Sequence, residues 1–203
     1  MKLKRLIDFI LSIAVLLFAS PIWAAAAIAV WLESGRPILF RQQRVGKDLV
    51  CFEILKFRTM RSGSVGPSVT VHGDPRTTAV GRFLRATKID EIPQFWNVLC
   101  GDMSIVGPRP EVPEYVDLFR GRFRSILTIR PGITDLASLR FRNEEAILAG
   151  SLDPISTYKS LILPAKLDLA EQYLREMTCL SDLRIIMRTA AAMLWSPTSG
   201  RPE

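Results

Sequence analysis

Two adjacent carboxylates, Asp90 and Glu91, are the strongest candidates for chemistry in this chain of 203 residues. Three cations come shortly before them: Arg82, Arg85 and Lys88. Pro93 fits the first turn of a helix that starts at about Asp90. At such a helix start, the backbone dipole and nearby cations hold a carboxylate ionised, and an ionised carboxylate can bind Mg²⁺ or attack phosphorus. The alternative is an N-cap aspartate followed by a solvated glutamate.

Arg109 is the strongest candidate for binding phosphate. It lies between Pro108 and Pro110, whose rings restrict the backbone on both sides and hold it extended. A guanidinium on a stiff mount suits bidentate recognition of phosphate, although a structural arginine in a rigid turn fits the same pattern. A second basic cluster lies at the end of a predicted strand, where a solvated strand end is the alternative: Lys56, Arg58 and Arg61.

Several short elements must position these residues. Alternation and helical spacing predict strands and helices as follows: strands at 38–40 and 50–57, and helices at 80–84, 92–99, 114–127, 164–177 and 181–195. Glycine, proline and serine predict loops at 62–74 and 101–113 and a turn at 131–134. The fold class is therefore α+β and mostly helical. The last helix carries an apolar stripe, and such a stripe packs on a domain core more readily than on a membrane; its residues are Leu183, Ile186, Met187, Ala190 and Leu194.

The N-terminal segment contains a long apolar run. Residues 6–32 are apolar except for Asp8, Ser12 and Ser20, a length that crosses a bilayer once. Three interpretations fit: a cleaved signal peptide, a spanning helix, and a re-entrant helix that bends at Ser20-Pro21 and returns to the same face. Proline removes a backbone donor and bends a helix, and the Ser20 hydroxyl can serve the freed backbone groups.

The flanking charges slightly favour the re-entrant interpretation. Lys and Arg collect on the cytoplasmic side of a spanning segment. Here basic residues flank both ends of the apolar run: Lys2, Lys4 and Arg5 before it, and Arg36, Arg41, Arg44 and Lys47 after it.

The composition narrows the partners. A net charge of +7 predicts an anionic partner, which is nucleic acid, a membrane surface or a phosphorylated substrate. Aromatic residues do not interleave with the basic ones as base stacking requires, so nucleic acid is not expected. Cys51, Cys100 and Cys179 form no CxxC pair and suit reduced thiols facing a cytosol. The single histidine, His72, argues against a histidine-based metal site.

Together and in this order, these motifs resemble the monotopic phosphoglycosyl transferases of the bacterial sugar transferase family. The resemblance covers nearly the whole chain and is most specific between residues 90 and 110. The matching motifs are Lys4-Arg5-x-x-Asp8, Ser20-Pro21, residues 37–47 (PILFRQQRVGK), Lys56-Phe57-Arg58-Thr59-Met60, Asp90-Glu91-x-Pro93-Gln94, Trp96-Asn97-Val98-Leu99, Gly101-Asp102-Met103-Ser104, Gly107-Pro108-Arg109-Pro110 and Pro131-Gly132-Ile133-Thr134.

The resemblance implies a re-entrant helix whose two ends face the cytoplasm, followed by a small domain with short strands and amphipathic interfacial helices. The implied organisation is a membrane helix at 1–35 broken at Ser20-Pro21, a cytoplasmic catalytic domain at 36–195 and a disordered tail at 196–203. The protein would lie in the bacterial inner membrane with its active site on the cytoplasmic face. A homodimer is compatible with this arrangement.

The resemblance also implies a reaction. Asp90 attacks the phosphorus next to the sugar of a UDP-sugar, UMP leaves, and a polyprenol phosphate such as undecaprenyl phosphate takes the phosphosugar from Asp90. Glu91 assists, and Mg²⁺ binds at Asp90 against the diphosphate. The implied phosphate- and substrate-binding residues are Lys56, Arg85, Arg109 and Arg142. The product begins a bacterial surface glycan or glycoconjugate.

The sequence departs from the family pattern after Thr134. The family commonly reads Gly-Leu-x-Gln-Val-x-Gly-Arg, whereas this chain reads DLASLRFR from Asp135 to Arg142. Arg142 still aligns, but both glycines and the glutamine are absent. Because Asp and Phe lack the conformational freedom of glycine, this loop must follow a different backbone path. The identity of the sugar therefore stays open.

Two alternatives compete with this reading. A membrane-tethered basic module that binds anionic lipid or nucleic acid explains the charge, but it leaves Asp90-Glu91 without a purpose. A multi-pass lipid-linked transferase needs several apolar segments, and the sequence has only one long one. We therefore expect the small, catalytic-core form of the family.

Overall fold

The computed structural model describes residues 2–61, 63–64, 66, 70–71 and 73–194. Within these residues the chain is mostly helical and carries two small two-stranded sheets. This confirms the predicted mixture of many helices and few strands. The predicted tail at 196–203, His72 and much of the predicted loop at 62–74 lie outside the described residues.

The N-terminal segment forms two helices, α1 (Lys2–Phe18) and α2 (Ser20–Ser34). They meet at Ala19 and are bent by 62°. No single helix in the described part of the chain has the length and apolar character to cross a membrane, although this bent pair does when taken together. Pro21 lies in the first turn of α2, where its missing N–H leaves no intrahelical bond unmade. The bend therefore lies directly before the predicted Ser20-Pro21 break.

The start of α1 is bound to the rest of the molecule by three polar side chains. Lys4 forms an ion pair with Asp182 at 2.6 Å, and Asp8 accepts a 2.7 Å hydrogen bond from the Ser104 hydroxyl. Arg5 donates to the carbonyl of Val98 at 2.6 Å, at the end of a helix where carbonyls lack intrahelical partners. These contacts give the basic residues of the N-terminus a structural role.

The far end of α2 is bound to the same body. Val30 packs with Phe57 and Leu84 in one of the three core clusters. The Glu33 carboxylate accepts a 2.8 Å hydrogen bond from the backbone N–H of Ala79. Both ends of the bent helix pair therefore contact the same domain.

The first sheet is an antiparallel hairpin of β1 (Leu39–Val45) and β2 (Cys51–Phe57). The predicted strand at 38–40 is longer than expected, because it pairs with β2 along its whole length, from Leu39 opposite Phe57 to Val45 opposite Cys51. A short 3₁₀ turn at Lys47–Leu49 closes the hairpin. The hairpin delivers Lys56 at the end of β2.

Two helices follow, α3 (Ala79–Thr87) and α4 (Gln94–Cys100). The buried amide of Asn97 fixes α4 to β2: its Oδ1 accepts from the N–H of Leu55 at 3.0 Å and its Nδ2 donates to the carbonyl of Glu53 at 2.8 Å. Since buried polar groups need such partners, this one side chain fixes the distance between the strand and the helix. The segment between α3 and α4 carries Asp90 and Glu91.

The second sheet is a parallel pair of β3 (Ser104–Val106) and β4 (Gly132–Thr134). These strands replace parts of the loop predicted at 101–113 and of the turn predicted at 131–134. Gly107 and Gly132 lie so close together that a Cβ on Gly132 would overlap the backbone of Gly107, and a Cβ on Gly107 would overlap the carbonyl oxygen of Arg130. The close approach fixes the segment that leads from β3 to Arg109.

The remaining regular elements of the described residues are helical: α5 (Pro113–Leu118), α6 (Arg120–Ile126), α7 (Leu136–Arg140), α8 (Glu144–Ala149), α9 (Pro154–Thr157), a π-helical turn (Tyr158–Ile162), α10 (Leu163–Glu176) and α11 (Cys179–Leu194). The single helix predicted at 114–127 is wrong, because the chain leaves helical geometry at Phe119. The Phe119 ring packs on the main core, and the break lets helices on both sides of it bury apolar residues there.

The main core lies between α5, α6 and α10. The helix α11 contributes Ile185 to a second cluster beside the β3–β4 pair. Its predicted core-facing stripe is only partly correct, since Leu183 and Met187 are exposed. The buried Ile185 lies one position away from that stripe. The reason is that Asp182 is buried between Lys4 and Tyr173, and its two contacts set the rotation of α11.

Candidate active site

Asp90 and Glu91 lie in a tight turn between α3 and α4. Lys88 ends α3 with a left-handed backbone conformation (φ 59°), and a 3₁₀ turn follows at Ile89–Glu91. The helix predicted to start at about Asp90 begins at Gln94 instead. The turn points both carboxylates into the protein, where each is largely buried.

Glu91 is the centre of a cluster of three charges. Its Oε1 accepts from Lys56 Nζ at 2.9 Å and from Arg109 Nη2 at 2.7 Å. Burial alone would raise the pKa of Glu91, but the charges of Arg109 and then Lys56 outweigh it and hold the pKa well below its ordinary value. Glu91 is therefore a fixed negative charge, and the predicted Lys56 and Arg109 converge on it.

Asp90 has the opposite environment. It is 6% exposed, and its Oδ1 is buried without a hydrogen-bond partner among the described residues. Burial, and then the charge of Glu91, raise the pKa of Asp90 despite the opposing effects of Lys56, Lys88 and Arg85. The sequence predicts that a helix start and nearby cations favour the ionised form of Asp90, but its pKa is raised instead, because the loss of solvation on burial outweighs the nearby cations.

The pKa values of the two cations of the cluster shift in opposite directions. Burial lowers the pKa of Lys56, although Glu91 opposes this effect. The charge of Glu91 raises the pKa of Arg109, so the guanidinium keeps its charge throughout the accessible pH range. Both cations are bound to Glu91 by direct contact, and the charge of Lys56 also acts on the pKa of Asp90.

Arg85 lies at the border of this cluster. Its charge acts on the pKa of Asp90, and its guanidinium is held by the Thr59 hydroxyl at 3.1 Å and by Glu145 of α8 at 3.1 Å. Arg142 is exposed in the turn between α7 and α8. Its role as a substrate-binding residue stays a prediction.

The basic cluster at the end of β2 separates into two parts. Lys56 enters the site, whereas Arg58 turns away and donates to the backbone carbonyls of Ser34 and Gly35 at 2.6 and 2.7 Å. These carbonyls end α2, where a cation satisfies them and interacts favourably with the helix dipole. Arg58 therefore fixes the end of the bent helix pair.

Two acidic residues near the site were not predicted as functional. Asp135 accepts a hydrogen bond from the backbone N–H of Arg109 at 3.0 Å, and Glu145 pairs with Arg85. Asp135 begins the segment that departs from the family pattern, and Glu145 follows that segment in α8. The sequence carries one helix-start signal there, an aspartate directly before the apolar Leu136.

The described residues contain no group of three or more acidic, histidine or cysteine side chains that could enclose a metal ion. Mg²⁺ does not need such a group, since it is commonly bound through one or two carboxylates together with substrate phosphates. The unpartnered Oδ1 of Asp90 is an oxygen donor of the right type, whereas Glu91 is occupied by Lys56 and Arg109. The predicted Mg²⁺ at Asp90 thus fits the donor set and stays a prediction.

Similarity to known proteins agrees with this site. A relative named UDP-glucose:undecaprenyl-phosphate glucose-1-phosphate transferase, from Caulobacter vibrioides, is 38% identical over 94% of this chain. A protein of the same name from Escherichia coli is 36% identical over 92% of it. The Exopolysaccharide production protein PSS of Rhizobium leguminosarum is 34% identical over 95%. The chain spans 69% of the length of the first relative, 39% of the second and 95% of the third.

The family comparison covers nearly the whole chain. Residues 1–196 match the family described as bacterial sugar transferase, which includes the bent helix pair, both sheets and the cluster around Glu91. The resemblance seen in the motifs is thereby confirmed, and this chain belongs to the bacterial sugar transferase family.

Proposed function

We propose that this chain transfers a sugar 1-phosphate from a UDP-sugar to undecaprenyl phosphate and releases UMP. The names of its relatives support both substrates. The observation that carries the proposal is the pairing of Glu91, held ionised by two cations, with Asp90, which has a buried oxygen that no described group binds. A carboxylate that lacks hydrogen bonds is the better nucleophile of the two.

The reaction proceeds in two displacements at one phosphorus. A carboxylate oxygen of Asp90 forms a bond to the phosphorus that carries the sugar, and the bond from that phosphorus to the bridging oxygen breaks. UMP leaves with the bridging oxygen. A phosphate oxygen of the polyprenol then attacks the same phosphorus, the bond to Asp90 breaks, and polyprenyl-diphosphate-sugar forms. The Asp90 carboxylate is regenerated.

The other residues of the site provide charge and orientation. Arg109 and Lys56 are fixed on Glu91 and place positive charge where the diphosphate must lie, so that charge developing on UMP is stabilised as it leaves. Arg85, held by Thr59, extends this positive surface. Glu91 orients the two cations. This assignment explains why Glu91 is bound by two cations, whereas Asp90 has an oxygen without a partner among the described residues.

A magnesium ion belongs to the same proposal. Asp90 would hold it, together with the phosphate oxygens of the donor, and its chemistry is to offset the negative charge of the diphosphate. Because Glu91 is occupied by its two cations, it is not assigned as a ligand.

The bent helix pair is assigned to the membrane as a re-entrant element. Lys4 contacts Asp182 near one end of the pair, and Arg58 binds the carbonyl of Ser34 at the other. Two ends bound to one domain cannot lie on opposite sides of a bilayer, which supports a helix pair that enters and leaves on one face. The substrates UDP-sugar and UMP are cytosolic, so this face is the cytoplasmic face of the bacterial inner membrane.

Exposed apolar residues outside α1 and α2 extend the membrane surface. Phe83 on α3 and Trp96 on α4 are exposed close to the Asp90 turn, and Leu183 and Met187 are exposed on α11. Apolar groups at the border between lipid and water are stabilised by partial burial among the acyl chains. These helices are assigned as interfacial elements that bring the site to the level of the polyprenol phosphate.

UMP release tests the proposal directly. Protein in nanodiscs with undecaprenyl phosphate, Mg²⁺ and a panel of UDP-sugars should release UMP over many turnovers with at least one donor. Release beyond one UMP per enzyme should require the lipid, and release should cease on chelation of the metal. Asp90→Asn should abolish it, whereas Asp117→Asn, the same change at an exposed ion pair, should not. Absence of release with every donor, or an active Asp90→Asn, would contradict the proposal and favour a membrane-tethered basic module.

A further inference from the structure

Asp135 connects two elements that the sequence places far apart. It is the N-cap of α7, and its Oδ1 accepts a 2.6 Å hydrogen bond from the backbone N–H of Ser138. Its Oδ2 accepts a 3.0 Å hydrogen bond from the backbone N–H of Arg109. The residue is 4% exposed. One oxygen therefore serves the helix and the other serves the segment that carries Arg109.

The bond to Arg109 is made at a special position. Pro108 and Pro110 have no N–H, so the N–H of Arg109 is the only backbone donor among these three residues. The chain on the N-terminal side is fixed by the close approach of Gly107 and Gly132. Together with the Asp135 bond, this approach holds the backbone at Gly107, before Pro108, and at Arg109, after it. From this position the guanidinium of Arg109 reaches Glu91.

We propose that Asp135 is a positioning residue of the active site, which acts through the backbone of Arg109 to hold the guanidinium on Glu91. The inference rests on the proposed function and deepens it. Asp135 touches neither Asp90 nor Glu91 through any hydrogen bond of the described residues, so its effect must pass through Arg109.

Asp135 is the first residue of the segment that departs from the family pattern. The family that this chain resembles commonly has glycine at this position, and glycine has no side chain to accept either hydrogen bond. The departure from the family pattern thus introduces a connection between α7 and the phosphate-binding arginine. Glu145 of α8, three residues after this segment, pairs with Arg85.

A purely structural explanation is that Asp135 only caps α7. The variant Asp135→Ser separates the two roles, because serine is a good N-cap but has one oxygen instead of two. It keeps the bond to Ser138 and loses the bond to Arg109. Asp153→Ser is the matched control, since Asp153 caps α9 through Ile155 and Ser156 and has no contact with the site.

Hydrogen exchange tests the contact without any need for activity. Residues 107–111 carry only three backbone N–H groups, those of Gly107, Arg109 and Glu111, because the other two residues are prolines, and a peptide that begins a few residues before Gly107 reports all three. In full-length protein in nanodiscs, Asp135→Ser should make one amide of this peptide exchange faster, and Asp153→Ser should not. An unchanged peptide in Asp135→Ser would overturn the proposal.

Kinetics test the consequence. Asp135→Ser should lower kcat for UMP release by roughly 10-fold or more, because small displacements of a positioned group are costly, while Asp153→Ser stays at the wild-type value. In an Arg109→Lys background, Asp135→Ser should lower kcat by less than about twofold, since residues that act through one another are not additive. Two losses that multiply would show that Asp135 does not act through Arg109. A wild type that releases no UMP would instead refute the proposed function, and the exchange experiment would still decide on the Asp135–Arg109 contact.

Discussion

The guanidinium of Arg109 lies 2.7 Å from the carboxylate of Glu91, and the neighbouring carboxylate of Asp90 has a buried oxygen with no hydrogen-bond partner among the described residues. Two adjacent acidic residues thus have opposite environments. The pKa of Glu91 is held low by Arg109 and Lys56, and the pKa of Asp90 is raised by burial. Pairs of carboxylates whose environments separate their pKa values divide the roles of a catalytic site. In the proposed function Asp90 is the nucleophile because its Oδ1 has no partner among the described residues, whereas Glu91 is occupied by its two cations.

The rate of UMP release should fall on acidification as Asp90 takes up a proton. Because the pKa of Asp90 is raised and that of Glu91 is lowered, Asp90 is protonated first as the pH falls, and kcat/KM decreases at a pH above the ordinary value for aspartate. The measurement is the pH profile of kcat/KM for the donor, which reports groups of the free enzyme. The charge of Glu91 is one cause of the raised pKa of Asp90. In Glu91→Gln, the acidic limb of the pH profile of the activity that remains should therefore move to lower pH. A limb that moves to higher pH in this variant would contradict the assignment.

Asp90→Asn should be inactive and more stable than the wild type at neutral pH. A group whose pKa is raised in the folded state contributes stability at low pH and loses that contribution as the pH rises through the folded-state pKa. Ionised Asp90 therefore costs stability, and the amide removes this cost. We expect Tm to rise by a few degrees, since about 1 kcal/mol shifts Tm by roughly 2–4 °C in a chain of this size. The gain should vanish below about pH 3.9, where unfolded aspartate is also protonated.

Thermal unfolding of wild type and Asp90→Asn across this pH range is the measurement. The matched control is Asp117→Asn, at an exposed ion pair with Arg120, which should leave Tm nearly unchanged at every pH. A destabilised Asp90→Asn at neutral pH would show that the folded protein stabilises the ionised carboxylate, contrary to the environment described for Asp90.

Arg109→Met should destabilise the protein and lower activity together. The change leaves the largely buried Glu91 with Lys56 as its remaining ion-pair partner. Removing one partner of a fully buried pair costs about 3–5 kcal/mol, and because Lys56 remains and the Arg109 side chain is 33% exposed, we expect about 2 kcal/mol. Denaturant unfolding measures this cost. Arg120→Met, at a pair that is exposed on both sides, should cost less than about 1 kcal/mol, and equal losses in the two variants would contradict the cluster.

The four residues at the centre of the site could be predicted from the sequence, whereas their ionisation could not. Asp90, Glu91, Lys56 and Arg109 all belong to motifs with a chemical reason. The pKa values depend on which cation touches which carboxylate, and Lys56 is 35 positions away from Glu91 in the chain. Sequence spacing placed the cations Arg85 and Lys88 beside Asp90, but it gave no information on burial, which dominates there.

Other differences have equally local causes. Helical spacing continues across Phe119, so the break between α5 and α6 leaves no sign in the periodicity. The strands β3 and β4 have three residues each and depend on the close approach of Gly107 and Gly132, which lies beyond the reach of any sequence window. The sequence marks Asp135 as a departure from a family pattern but does not indicate its contact with Arg109, because Arg109 lies 26 positions earlier.

Both ends of the bent helix pair should be accessible from one side of the membrane. In a background with Cys51, Cys100 and Cys179 replaced by serine, which is tolerable because all three are exposed, single cysteines are introduced as Lys2→Cys and Arg36→Cys. Both positions are exposed and lie on opposite ends of the pair. An impermeant maleimide should label both in inside-out vesicles and neither in intact spheroplasts. Labelling of the two positions from opposite sides would demonstrate a spanning helix and contradict the re-entrant assignment.

The most direct test of the account is a single turnover without the acceptor lipid. Wild-type protein mixed with its UDP-sugar donor and Mg²⁺ should release UMP in a burst equal to the enzyme concentration and then stop, and mass spectrometry of the quenched protein should find one phosphosugar on the peptide that contains Asp90. Asp90→Asn should give neither the burst nor the adduct. UMP release that strictly requires undecaprenyl phosphate, with no adduct in the wild type, would indicate direct transfer between the two substrates and contradict the role of Asp90 as the nucleophile.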